Sequence, residues 1–112
     1  MGLIPAHDFV TLLSAVAATG ASTPLAVDGT LGSATVLEVV FTGTATVTFQ
    51  GSIDGANWYS VQAERWDNGD LSATTLASAL YRVENTGLNA VRANVTAFTD
   101  GTVTVRAASQ SG

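Results

Sequence analysis

The chain has no cysteine, no lysine, a single histidine and few charges of either sign. Without cysteine there is no disulfide framework and no thiolate metal site, and the redox compartment stays open. The one histidine, His7, stands near the N-terminus. A Ser-His-Asp arrangement would have to recruit it from a terminal arm, a poor platform for a catalytic base. Charged residues make up 12% of the chain, about half the usual share. The outer surface must therefore draw its polarity from Thr, Ser, Asn and Gly, or be covered by neighbours. The basic residues are Arg65, Arg82, Arg92 and Arg106, scattered singly through a chain of net charge −5. Contact with nucleic acid needs a basic patch to neutralise phosphates, so direct nucleic-acid binding is not expected. Arginine without lysine suits an assembled surface, because guanidinium groups are favoured in interface pairs. A bias of the source genome would leave the same trace.

Long apolar runs are also missing. The stretch from Phe9 to Ala18 is too short to cross a membrane. It lacks the basic n-region of a signal peptide, with Pro5, His7 and Asp8 where that region would stand. We read residues 1–8 as an N-terminal arm and residues 9–112 as one domain, a length that supports a single core.

What the chain does have is alternation. Leu37, Val39 and Phe41 share one parity, with Val36, Glu38, Val40 and Thr42 on the other. Val47 and Phe49 alternate with Thr46, Thr48 and Gln50, Tyr81 and Val83 with Arg82 and Glu84, and Val103, Val105 and Ala107 with Thr104 and Arg106. Val91, Ala93, Val95 and Ala97 form a further inward row against Arg92, Asn94 and Thr96. Period-2 patterning of this kind predicts half-buried strands. Asp28-Gly29, Asp54-Gly55, Asp100-Gly101 and Gly43-Thr44 punctuate the strands as turns. Residues 9–18 fit a helix face through Phe9, Leu12, Leu13 and Val16, and equally a strand buried on both faces; a strand is favoured because everything downstream is β. Glu64 to Ser72 reads as an exposed loop. The expectation is an all-β, antiparallel β-sandwich, jelly-roll-like, of about eight strands with no substantial helix.

Few residues offer chemistry. Glu64, Asp67 and Asp70 are the nearest carboxylate cluster, but loop carboxylates without a partner are ordinarily just solvated, so no catalytic residue is assigned. Asp67-Asn68-Gly69-Asp70 carries oxygen ligands without the spacing or bidentate Glu of a calcium loop, so no metal or cofactor is expected. Trp58, Tyr59 and Trp66 could stack on a sugar with Asp54 and Asn57 as polar partners, although Trp58 reads better as a core anchor. Trp66 lies between Arg65 and Asp67, where interface, core and ligand roles all stay open. Arg82, Arg92 and Arg106 share the outward phase of strands that could be neighbours. Glu38 and Glu84 are available as partners, and Val36 and Val40 leave an apolar stripe. Candidate interface residues are therefore Phe9, Trp66, Arg82, Arg92 and Arg106.

A resemblance adds to this reading. The chain resembles the small all-β virion proteins of tailed bacteriophages, of the capsid decoration (cement) type. The segments that carry it are Leu12-Leu13-Ser14-Ala15 with Thr19-Gly20, Leu37-Glu38-Val39, Thr42-Gly43-Thr44-Ala45-Thr46-Val47, Gly51-Ser52-Ile53-Asp54-Gly55-Ala56-Asn57-Trp58, Tyr81-Arg82-Val83, Val91-Arg92-Ala93-Asn94-Val95 and Asp100-Gly101-Thr102-Val103-Thr104-Val105. The Gly-Ser-x-Asp-Gly-x-x-Trp stretch alone also occurs in discoidin-like carbohydrate- or lipid-binding sandwiches. The resemblance implies a jelly-roll-like sandwich, often trimeric, placed on the capsid surface of a virion made in the bacterial host cytoplasm. It implies the major capsid protein and further copies of itself as partners, with neighbouring capsomers bridged. It implies no enzyme activity, no cofactor, no direct nucleic acid and no membrane. The alternative expectation is a carbohydrate-binding sandwich module or another minor head or tail protein.

Overall fold

The computed structural model describes residues 9–27, 29 and 31–110. The arm expected over residues 1–8, with His7, and Asp28 of the first Asp-Gly turn lie outside the described residues. Alternation marks most of the long strands, β4 (Ala34–Phe41), β5 (Ala45–Ser52), β10 (Ala79–Glu84), β11 (Ala90–Phe98) and β12 (Val103–Gln110), and a further long strand, β1 (Val10–Val16), opens the fold. Between them run short pieces: β2 (Gly20–Ala21), β3 (Leu25–Ala26), β6 (Tyr59–Ser60), β7 (Ala63–Arg65), β8 (Leu71–Ser72) and β9 (Thr74–Thr75). No helix occurs among the described residues.

The strands form two antiparallel sheets that do not close into a barrel. The first runs β1-β12-β4-β10-β7-β8, and the second runs β2-β11-β5-β6, with β3 also on β11 and β9 also on β5. The fold is thus an all-β sandwich of twelve strands where about eight were expected. The difference comes from pieces of two or three residues, too short to show a period. Four of them, β6, β7, β8 and β9, lie in segments that change sheets. Residues 59–65 leave the edge of β5 and join β10, and residues 71–75 return the same way. What read as an open loop from Glu64 to Ser72 is the tip of this sheet-to-sheet hairpin. Its turn is fixed by Gly69 N–H donating to the Arg65 carbonyl at 2.8 Å and Arg65 N–H donating to the Asp70 carbonyl at 2.8 Å.

The ambiguity over residues 9–18 has a structural cause. β1 is a strand, but its register against β12 shifts after Thr11 and again after Leu13. Bulged residues turn the next side chain inward, so the consecutive Leu12 and Leu13 are both buried. Ala15 takes a φ of 47° in the irregular stretch that follows. A bulged strand thereby imitates helical spacing. A second bulge lies in β11 between Val95 and Ala97. Ala97, expected inward, is exposed, and Phe98 packs on the core instead.

The core fills the space between the sheets. Leu37, Val39, Val83, Val103 and Val105 from the first sheet meet Val47, Phe49, Val91, Ala93 and Val95 from the second. Phe49 packs on Tyr81 with ring centroids 5.1 Å apart. The Tyr81 hydroxyl is satisfied at depth by the Thr75 hydroxyl and the Ala77 carbonyl, as a buried phenol requires. Trp58 is not the core anchor it was expected to be: it is half-buried outside this cluster.

Most turns that read as hairpins are arches between the sheets. β4 and β5 lie in different sheets, as do β11 and β12, so Gly43-Thr44 and Asp100-Gly101 each cross the sandwich. The two arches lock main chain to main chain. Thr42 N–H donates to the Thr102 carbonyl at 3.0 Å, and Thr44 N–H donates to the Asp100 side chain at 2.8 Å. A β-carbon on Gly101 would lie 2.4 Å from the Gly43 nitrogen, so only glycine fits. Asp54-Gly55 alone of these turns closes a true hairpin, β5 to β6.

Candidate functional site

The outer face of the first sheet is built from the residues that alternate with the core. Register places Arg106, Glu38 and Leu80 side by side across β12, β4 and β10. Ala108, Val36, Arg82 and Glu64 form the next row, and Val40 pairs with Thr104 below them. Trp66 follows Glu64 at the end of β7 and donates its N–H to the Leu80 carbonyl at 2.9 Å. The apolar members are uncovered: Phe9 is 59% exposed, Trp66 60%, Leu80 42% and Val40 39%. Phe9, Val36, Glu38, Leu80, Arg106 and Ala108 line a shallow groove of about 180 Å³ on this face.

The charges here are few, and two oppositely charged pairs form. Arg106 faces Glu38 at 3.5 Å, and Arg82 faces Glu84 at 3.6 Å. These exposed pairs contribute little, on the order of 0–1 kcal/mol each. The Arg106 guanidinium also lies 5.6 Å from the Phe9 ring centroid, near the outer limit of a useful cation–π contact.

The other sheet presents a different surface. Arg92 donates from Nε to Gln50 Oε1 at 2.8 Å and stacks its guanidinium 4.3 Å from the centroid of a Trp58 ring. The Thr48 and Thr96 hydroxyls meet at 3.0 Å, and Asn94 shares this outward row. One outer face is therefore largely aliphatic and aromatic, the other a network of amides and hydroxyls around one stacked arginine.

The structure brings Phe9, Trp66, Arg82 and Arg106 onto one face. It separates Arg92, which stands on the opposite side of the sandwich. Strands 80–85, 90–97 and 102–108 are consecutive in sequence, yet β11 belongs to the second sheet, and β10 and β12 flank β4 in the first. Sequence reasoning missed Leu80 and Leu71. Leu80 shares the outward parity of Arg82 and Glu84, so the signal was present.

The sugar-binding set is not gathered into one concavity. Trp58 stacks with Arg92 on the second sheet, whereas Trp66 stands at the edge of the first. Asp54 and Asn57 are occupied within their own loop. The Asp54 carboxylate accepts from the Asn57 and Ala56 N–H groups at 2.8 Å each, from Asn57 Nδ2 at 2.7 Å and from Ser52 Oγ at 2.9 Å. The backbone N–H of Asn57, then that of Ala56, and the two side chains hold this exposed carboxyl well below the usual range. In the 65–70 turn, Arg65 Nε pairs with Asp67 at 2.8 Å, and Asn68 Oδ1 accepts from the Asp70 N–H at 3.0 Å. Among the described residues, no three His, Cys, Asp or Glu side chains converge to hold a metal ion.

No family model matches the chain, and no curated protein matches it. Two solved structures share its fold. The SPBc2 prophage-derived protein YomS is similar with a TM-score of 0.73 and 14% identity, over 96% of this chain and 98% of that one. The PBSX exported protein XepA is similar with a TM-score of 0.74 and 20% identity, over 96% of this chain and 40% of that one. The chain thus spans less than half of XepA and nearly the whole of YomS.

Proposed function

We propose that this protein is a non-catalytic structural component of a tailed bacteriophage, working as a homo-oligomer, and that it decorates the capsid shell by bridging neighbouring capsomers. The observation that carries the reading is the contrast between the two outer faces. A sandwich exposed to water on both sides would clothe both in Thr, Asn and Gln, as the second sheet does apart from Trp58 and Tyr59 at its β6 edge. The first sheet instead presents Phe9, Val36, Val40, Leu80 and Trp66 beside self-neutralised ion pairs, the make-up of a covered surface. Tryptophan and arginine at such a face are the residue types that anchor interfaces. The prophage origin of YomS supports a phage setting for this fold.

A jelly-roll description is supported by strand order. With β2 and β3 taken as one interrupted strand and β6 to β9 as a single unit that changes sheet and returns, the first sheet reads first, eighth, third, sixth, fifth and the second reads second, seventh, fourth, fifth. That order belongs to the double-sheet folds common in viral shells. Many identical copies on a shell add avidity to contacts that are weak singly.

The test is light scattering of the purified protein over a dilution series, followed by cosedimentation with capsids of the phage that encodes it. A stable trimer that pellets with capsids supports the proposal. A strict monomer at all concentrations, or an oligomer that stays in the supernatant, refutes the decoration role. In that case a glycan panel read by tryptophan fluorescence tests the carbohydrate-binding alternative.

A further inference from the structure

The groove on the first sheet lies beside the point where the N-terminal segment joins the fold. Phe9 forms one of its walls, and residues 1–8 precede Phe9 directly. We infer that the N-terminal segment of one copy docks in this groove on a second copy, with Leu3 and Ile4 as its anchors. This deepens the proposed self-assembly and rests on it.

Three features of the groove and segment agree. The first is volume. An engineered cavity of roughly 150 Å³ holds a benzene molecule, so a groove of about 180 Å³ has room for one large aliphatic side chain. The second is charge. From Met1 to Ala6 no side chain is charged, and the groove's own charges, Arg106 and Glu38, neutralise each other at 3.5 Å. A neutral apolar segment meets no unpaired charge there. The third is backbone. Pro5 has no N–H to leave unsatisfied on an apolar surface, and it biases Ile4 toward an extended conformation. Such a strap can lie across side chains without needing a sheet edge.

Strand direction favours a second copy over the same chain. β1 runs from Val10, opposite Ala107, towards Val16, opposite Val103. The chain thus enters β1 from the Gln110 end of β12, whereas Leu80 lies opposite Glu38 in the interior of that sheet. Eight extended residues reach about 26 Å, while two strand spacings, from β12 to β10, are only about 10 Å. The segment is long enough to cross the groove of a neighbour. A contact in which one copy's arm enters the next copy's groove is head-to-tail and closes into a ring when the rotation allows.

The absence of native cysteine makes the test direct. Full-length Ile4→Cys protein is mixed with full-length Leu80→Cys protein and oxidised gently. Thr96→Cys, on the opposite sheet, replaces Leu80→Cys as the control. The expected result is a disulfide-linked dimer from the Ile4/Leu80 mixture, at least tenfold above the control, and a drop in solution mass when residues 1–8 are deleted. An Ile4→Cys/Leu80→Cys double variant that closes only within one chain, with no mixed dimer, overturns the inference. So does an oligomer whose mass is unchanged by the deletion and which gives no cross-link above control, although the proposed function survives that outcome. A full-length protein that is monomeric throughout overturns both.

Discussion

Three glycine-to-alanine substitutions separate conformational strain from steric exclusion in this fold. Gly55 has a φ of 78°, and a β-carbon there would find nothing within 4 Å. Gly55→Ala should therefore cost only the left-handed penalty, about 1–2 kcal/mol. Gly43 has no positive φ, but a β-carbon there would meet the Asp100 carboxylate at 2.4 Å and the Asp100 carbonyl at 2.5 Å. Gly43→Ala must push the two arches apart. The Thr42–Thr102 and Thr44–Asp100 bonds then stretch together. At about 1 kcal/mol net per bond, losing two or three of them costs about 2–3 kcal/mol. Gly101 combines both faults, with φ 81° and a contact of 2.4 Å to main-chain nitrogen, so Gly101→Ala should cost about 3–5 kcal/mol by adding the two terms. For a domain of this size, each kcal/mol lowers Tm by roughly 4 °C. The expected order is then Gly55→Ala least, Gly43→Ala intermediate and Gly101→Ala worst, the last lowering Tm by more than about 12 °C. Thermal unfolding followed by circular dichroism reads this directly. Equal shifts for Gly55→Ala and Gly101→Ala would refute the claim that the arches are locked by backbone contact.

Other perturbations follow from the same structure. Trp66→Ala should abolish oligomer formation or capsid binding while leaving Tm within a few degrees, because the side chain is 60% exposed; normal assembly of that variant would remove Trp66 as an anchor. Phe49→Ala should destabilise by about 3–5 kcal/mol, since the ring is fully buried against Tyr81, and a smaller loss in urea titration would mean the core collapses around the gap. Asp54 has a folded-state pKa held below its ordinary 3.8, so its carboxylate adds stability above about pH 4, and that contribution fades as the pH falls further. Asp54→Asn should therefore flatten the acid limb of Tm against pH, and an acid limb parallel to that of the parent protein would contradict the assignment.

The long strands were legible because burial on one face imposes period 2, as at Leu37 and Val39 or Val103 and Val105. What escaped was whatever alternation cannot encode. β2, β6, β8 and β9 have two residues each, less than one full test of a period. The bulges at Leu12–Leu13 and Val95–Ala97 shift parity by one and turn an inward Ala97 outward. Asp100-Gly101 reads as a hairpin turn because Asp-Gly reports local φ, and local φ does not say whether the next strand returns to the same sheet. The same blindness misplaced Arg92: parity gives in or out, but never which of two outsides. Phe9, Trp66, Arg82 and Arg106 fell on one face because β10 and β12 both flank β4. Leu80, at the centre of that face, was passed over although its parity matched theirs.

The position of β12 carries a consequence for how the chain is made. It lies between β1 and β4, pairing with β4 along its whole length and with β1 from Val103 to Ala107. The first sheet therefore has a gap between its edge strand β1 and β4 until β12 has been synthesised and has cleared the ribosome. Neighbours so remote in sequence also make for slow closure, in the millisecond-to-second range typical of all-β sandwiches. A nascent chain would hold β1 and β4 apart, with Leu13, Leu37 and Val39 unshielded, throughout its translation. Chaperones that bind apolar strands would find such surfaces on the nascent chain.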